Sequence, residues 1–230
     1  MAPVALDIEG FLGRTPLGKA CPPEDLGRLA RVSRRESFAG GDEVGFPGDL
    51  WLRCVESGVV GLVVTPLSGR PVLVEILEPG DLFGPLLCAA ALPEEELGLR
   101  FQALTAVSVV ALPQEAVQKL LRARPAVLEA LLLEQRRRFG RLVGAAALAA
   151  ERIEHRLMRL LLRLSRVLGP EVPLTKRALA LAAGTTTESV IRTLAPLARA
   201  GWIASRRGAI SVLKPLKFSE ALSARRGERP

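Results

Sequence analysis

Residues 174–212 read LTKRALALAAGTTTESVIRTLAPLARAGWIASRRGAISV, and this stretch decides the fold. Thr175 is placed to cap a short helix whose apolar positions are Leu179, Leu181 and Ala182, with Ala180 small enough to admit a second helix. Gly184 ends that helix at a position where the turn uses positive φ. A new cap follows at Thr186 or Thr187, and Glu188 falls in the first turn, where the helix dipole favours a carboxylate. Val190, Leu194 and Leu197, spaced four and three apart, give the second helix one buried stripe. Two helices joined by a short Gly-containing turn predict a helix-turn-helix, whose second member fits the DNA major groove. Trp202–Ser205 and Ala209–Leu213 then read as two strands around Arg206-Arg207-Gly208, a wing tipped with guanidiniums.

On the second helix Thr187, Glu188 and Arg192 share a face opposite Val190 and Leu194. Arg can donate two bonds to guanine O6 and N7, and Glu can accept from cytosine N4. The same Glu188 and Arg192 are also spaced as an i,i+4 ion pair that would only stiffen an exposed helix. Thr175, Lys176, Thr186, Arg206 and Arg207 are candidates for phosphate contacts, which fix register without reading sequence. Pro196 conflicts with its surroundings. It removes the bond to the Arg192 carbonyl and costs about 3 kcal/mol in a helix interior, so a kink after Ala195 or an early helix end is expected.

Charge is distributed unevenly. Residues 1–150 carry 16 Lys+Arg against 18 Asp+Glu, whereas residues 151–230 carry 16 against 6. A basic C-terminal third on a near-neutral remainder is the electrostatic footprint of a nucleic-acid partner. No apolar run matches a membrane span, and Asp7 and Glu9 stand where a signal peptide would be basic, so a cytoplasmic protein with no membrane partner is expected. Cys21, Cys54 and Cys88, with the single His155, give neither a disulfide framework nor a metal pattern and read as buried free thiols. One histidine, no phosphate loop and no nucleophile motif leave no basis for an enzyme.

Upstream, Pro22-Pro23 starts a helical turn or two carrying Leu26, Leu29 and Val32. Strand candidates follow at Leu50–Val55, Gly58–Val64, Val72–Leu77, Leu99–Leu104 and Ala106–Leu112, separated by turn signals that predict a small all-β roll or sandwich. Pro79-Gly80 suits a type II turn. Gln114–Arg122 reads as a short helix, and Pro125 begins a longer one of about 37 Å. Along it Leu128, Leu132, Gln135, Phe139, Leu142, Ala146 and Ala149 alternate at spacings of four and three, a seam for a partner helix. The competing reading is one amphipathic helix lying on its own β-domain, but Arg136, Arg137, Arg138 and Arg141 leave little apolar width beyond the seam. Homodimerisation is therefore expected. Glu151–Leu168 is a further helix, the join near Ala150 a hinge, and the polar chain after Leu213 a frayed tail.

The order of these pieces resembles the cAMP receptor protein/fumarate-nitrate regulator (CRP/FNR) superfamily of bacterial transcription factors. The resemblance rests on Ser57-Gly58, on Leu77-Glu78-Pro79-Gly80-Asp81-Leu82-Phe83-Gly84, and on Ala103-Leu104-Thr105-Ala106 leading to Leu112-Pro113. In the C-terminal third it rests on Gly184 to Leu194 and Ala200-Gly201-Trp202-Ile203. It implies an α+β architecture: a double-stranded β-helix (jelly-roll) sensor domain, cyclic-nucleotide-binding-like, over residues 1–124; a dimerisation helix over 125–150; and a winged helix-turn-helix over 151–230. It implies Thr187, Glu188, Ser189 and Arg192 as base readers, with Thr187 standing where the family often has an Arg, so that one guanine is weakly specified. It implies an effector pocket near Asp81, Leu82, Phe83, Gly84 and Arg100, RNA polymerase as a partner, and a near-palindromic double-stranded operator with half-sites about one turn apart.

Departures bear on the effector. Members that bind a cyclic nucleotide usually carry an Arg-Ser pair for its phosphate, and Leu97-Gly98 occupy the matching places. No cofactor is expected: cAMP lacks its phosphate anchor, and no Fe–S or haem ligand set is present. The rival reading is a ligand-sensing or protein-interaction module with a degenerate helix-turn-helix, favoured by Thr187 and Pro196.

Overall fold

The computed structural model describes residues 7–45, 49–67, 69–84 and 97–224. Contacts group the chain into two units, one of Met1–Arg70 and Val74–Val143, the other of Pro71–Leu73 and Gly144–Pro230.

The first unit opens on three short helices, α1 (Ile8–Leu12), α2 (Pro16–Lys19) and α3 (Pro23–Val32). Asp7 caps α1 through the Glu9 amide, and Thr15 caps α2 through the Gly18 amide. Of the three, only α3 is among the helices expected from the sequence. The strands β1 (Arg34–Phe38), β2 (Trp51–Ser57), β3 (Val60–Pro66), β4 (Val72–Leu77), β5 (Leu82–Phe83), β6 (Leu97–Ala103) and β7 (Val107–Pro113) make two sheets, ordered β1-β7-β2-β5 and β4-β3-β6. The resulting antiparallel double sheet is the jelly-roll-like domain implied by the resemblance.

Side-chain alternation along β2 and β7 places a different set on each face. Val55 and Val109 turn inward to meet Val60, Leu62, Phe83 and Phe101, and the Phe83 and Phe101 rings lie 4.7 Å apart. Leu52, Cys54, Val110 and Leu112 turn outward, where Leu12, Leu17, Leu26 and Leu29 of the N-terminal segment cover them. That layer is completed by α4 (Gln114–Ala123) and by Val127 and Leu131 of α5 (Pro125–Leu148). The central strands are thus buried on both faces, which is why they read as apolar runs. The Pro79-Gly80 turn forms as expected: Gly80 has φ +95°, and the Asp81 amide donates to the Glu78 carbonyl. At the β2–β3 turn Gly58 has φ +77°, and a Cβ there would lie 2.2 Å from the Ala106 carbonyl oxygen.

The second unit is built on α6 (Ile153–Leu168), whose Leu157, Leu161 and Leu164 are fully buried, each worth about 1.5–3 kcal/mol. It continues with β8 (Glu171–Val172), α7 (Lys176–Ala182), α8 (Thr187–Arg199), β9 (Ile203–Arg206), β10 (Ala209–Val212) and α9 (Pro215–Ala224). The three strands pair in the order β8-β10-β9. The expected frayed tail is instead helical through Ala224, because Phe218 is a core residue, its ring 6.0 Å from that of Trp202. Arg225–Pro230 lie outside the described residues.

Cys21 and Cys54 are buried free thiols, whereas Cys88 lies outside the described residues. Among the described residues no helix is long and apolar enough to cross a membrane, and no group of three or more His, Cys, Asp or Glu could hold a metal ion.

Candidate nucleic-acid interface

The helix-turn-helix is assembled by local capping. The Thr175 hydroxyl accepts from the Ala178 amide at 3.1 Å and starts α7. At the end of α7, Gly184 takes φ +59°, and the Thr185 amide reaches back to the Ala180 carbonyl. Thr186, the first of the two residues expected, caps α8 by accepting from the Ser189 amide at 3.2 Å. Leu179 and Ala180 of α7 and Val190, Leu194 and Leu197 of α8 are buried, while Leu181 and Ala182 are only half-buried because Ala183 takes the inward place beyond them.

This packing leaves Thr187, Glu188 and Arg192 exposed along the first turns of α8. No ion pair joins Glu188 to Arg192, so the stiffening alternative is not realised among the described residues. Ser189 is half-buried, its hydroxyl held at 3.1 Å by Thr186. Thr175 and Thr186, both expected as phosphate contacts, spend their hydroxyl oxygens on caps and remain exposed, and Lys176 is half-buried. Pro196 does not end α8 early. The helix runs to Arg199, and the Pro lies on its exposed side, where water can serve the carbonyl of Arg192 left without its N–H partner.

In the wing, Arg206 and Ala209 are paired across the two-residue turn Arg207-Gly208, with Gly208 at φ +80°. Arg207 is exposed. Arg206 is not free: its guanidinium donates to the carboxylate of Glu171 on β8. Glu171 carried no signal in the sequence, since the two-residue strand that delivers it has no periodicity to read.

Helix α5 shows two faces. Val127, Leu131 and Arg138 are buried against the first unit, whereas Leu128, Leu132 and Phe139 are 40%, 59% and 66% exposed. Gln135 and Leu142 are half-buried, Ala146 is exposed, and Ala149 lies in the turn after the helix ends at Leu148. The expectation that Arg138 and Arg141 merely flank a seam is overturned. Arg138 is 4% exposed and forks onto Glu75, while Arg141 chelates Asp81.

A family model for the Crp-like helix-turn-helix domain matches residues 155–220. Over 211 residues the chain is 32% identical to the cyclic AMP receptor protein of Thermus thermophilus, covering 90% of this chain and 96% of that one. The chain belongs to the CRP/FNR superfamily. This CRP/FNR regulator is also 30% identical over 217 residues to the transcriptional regulator SdrP of the same organism, across 87% of this chain and 99% of the relative. It shares its fold with FixK2 from Bradyrhizobium japonicum, with a TM-score of 0.66 at 20% identity, covering 82% and 96% of the two chains.

In this CRP/FNR protein the residues expected around an effector are occupied by internal contacts. Both oxygens of Asp81 receive the Arg141 guanidinium at 2.9 Å, and one also accepts from the Glu78 amide. Leu82 and Phe83 are core residues of opposite layers. Gly84 has φ +139°, and a Cβ there would meet the Trp51 carbonyl oxygen at 2.8 Å. Arg100, half-buried on β6, donates to the Thr65 hydroxyl at 3.1 Å rather than joining Asp81. Gly98 is exposed.

Proposed function

We propose that this CRP/FNR transcription regulator reads DNA sequence as a homodimer on a near-palindromic operator, without cAMP, and acts there on RNA polymerase. The observation that carries base reading is the exposure of Glu188 and Arg192 on the first turns of α8, free of each other and opposite a fully buried stripe. A carboxylate and a guanidinium so placed match cytosine N4 and guanine O6/N7. The exposed Leu128, Leu132 and Phe139 on the outer face of α5 support pairing of two copies, which would set two readers on successive major grooves about 34 Å apart.

Independence from cAMP is supported by the contacts of Asp81. Although one relative is named for cyclic AMP, here the Asp81 carboxylate expected beside the effector pocket is neutralised by Arg141, and Leu97-Gly98 offer a phosphate neither cation nor hydroxyl. Selection of bound duplexes from a random pool, with and without cAMP, tests both parts. One enriched near-palindrome, unchanged by the nucleotide and lost in Glu188→Ala and Arg192→Ala, is the expected result. A marked gain in binding with cAMP would overturn the effector part, and uniform weak binding with no enriched sequence would overturn base reading in favour of a degenerate helix-turn-helix.

A further inference from the structure

We propose that Ile191, on the recognition helix α8, reads the C5 methyl group of a thymine in each half-site of the operator. Ile191 is 47% exposed, although Val190, Leu194 and Leu197 already fill the inward stripe of the same helix. Packing within the winged unit therefore does not account for it. Nor does helix propensity, since a β-branched side chain on a solvent face is a weaker helix former than Ala, Leu or Arg. Single apolar side chains are common on protein surfaces, but this one stands between Glu188 and Arg192, the two residues placed to read bases.

At 3.6 residues per turn Ile191 lies about 60° round the helix from Glu188, so the two side chains project as neighbours. Thr187 and Ala195, one turn to either side of Ile191, are exposed as well, and among the exposed residues of α8 the isoleucine is the one large aliphatic group. The major groove offers such a group few partners. Its base edges present donors and acceptors, and the C5 methyl of thymine is the apolar group among them. Covering that methyl removes apolar surface from water on both sides, whereas a cytosine at the same place would leave the isoleucine against a bare ring edge. Glu188 and Arg192 would then fix a cytosine and a guanine by hydrogen bonds, with Ile191 fixing a thymine by contact. The proposal rests on base reading by α8 and adds a third kind of base to it. It also makes binding sensitive to cytosine methylation, because 5-methylcytosine carries its methyl where thymine does.

Selection from a random duplex pool with the wild-type protein and with Ile191→Ala, followed by fluorescence anisotropy on the enriched duplex, is the test. Ile191 sits outside the buried stripe and Ala favours a helix, so the variant is expected to fold. The wild type is expected to enrich a sequence with a thymine in each half-site that the variant no longer specifies, while the guanine and cytosine positions persist. Replacing that thymine with deoxyuridine, which deletes the methyl alone, is expected to weaken wild-type binding about fourfold per half-site, the worth of one buried methyl, and to leave the variant unaffected. In its place 5-methylcytosine is expected to bind the wild type more tightly than cytosine by a similar factor. Ile191→Val, which keeps a branched apolar end, is expected to retain the uridine effect in part. An enriched sequence identical for wild type and Ile191→Ala, or a uridine effect that persists in Ile191→Ala, would overturn methyl reading while base reading by Glu188 and Arg192 stands. A wild type that enriches no sequence would overturn base reading itself, and this inference with it.

Discussion

Arg138 and Glu75, 63 residues apart in sequence, meet as a two-pronged ion pair inside the first unit, with N···O distances of 2.9 and 2.6 Å. The guanidinium also donates to the Leu82 carbonyl at 2.6 Å, so one side chain ties α5 to two strands at once. Each partner is at most 6% exposed. The Arg141–Asp81 pair lies alongside, with Arg141 also 3.9 Å from Glu75.

Removing one member of that pair strands the other in a place without water. Arg138→Ala or Glu75→Ala is expected to destabilise the protein by about 3–5 kcal/mol, and the Arg138→Met/Glu75→Leu double variant by much less. Urea unfolding of the three variants checks this, and equal losses in singles and double would refute it.

Glu56 sets an acid limit to stability. Burial alone would raise its carboxyl, but bonds from Arg35 at 2.7 and 2.8 Å and from Ser108 at 2.7 Å outweigh that and hold it below the usual carboxylate range. A depressed folded-state value contributes stability above the unfolded-state value of about 4.3 and loses it as pH falls through the folded one. Glu56→Gln is therefore expected to lower the urea midpoint near neutrality and to flatten its fall on the acid side, so that the two proteins converge at low pH. Parallel curves for the two would refute it.

Cys54 is fully buried, and burial first, then the negative charges of Asp81 and Glu56, push its thiol far above the ordinary range. The reactive thiolate is then essentially absent at neutral pH. Peptide mapping after iodoacetamide treatment is expected to find Cys54 unmodified in native protein and modified in urea; rapid native labelling would contradict the burial.

Glu171 holds the guanidinium of Arg206, a side chain proposed to reach DNA phosphate. The pair is exposed on both sides, so Glu171→Gln is expected to change folding stability by less than about 1 kcal/mol. It should strengthen binding to any duplex and steepen the salt dependence by about one phosphate contact. Fluorescence anisotropy at several salt concentrations reads both effects, and an unchanged slope would show that Arg206 does not reach the backbone.

Phe139 and Leu132 put a large apolar area in contact with solvent. Introducing a charge at each, as Leu132→Asp/Phe139→Asp, is expected to convert a dimer to a monomer in sedimentation experiments while the melting transition of each subunit survives. A wild-type chain that sediments as a single subunit would remove the basis for paired half-sites.

The helix-turn-helix was legible because its signals are local: Thr186, Gly184 and the Val190–Leu194–Leu197 stripe each act within a few residues of themselves. The strands with apolar runs were legible for a similar reason, being buried on both faces. What escaped was long-range or short. Strand β1, RRESF, has no apolar alternation; it is held by its ladder to β7, by Arg34 over the Trp51 ring at 4.1 Å, and by Glu36 against Arg53 at 2.8 Å. The run Arg136-Arg137-Arg138 looks uniformly solvated until the fold brings Glu75 to the third of them. Helix α9 reads as a frayed end because its one short helical repeat, Phe218, Ala221 and Leu222, runs straight into the polar, Arg-rich terminus, and only Trp202 shows what Phe218 is for.

That last contact alters what the end of the chain means. With Phe218 beside Trp202, three residues past the end of α8, the C-terminal segment serves as a keystone of the winged helix-turn-helix unit. Trimming it back past Pro215, or grafting a fusion partner onto it that pulls Phe218 out, would loosen the far end of the helix whose near end presents Glu188 and Arg192.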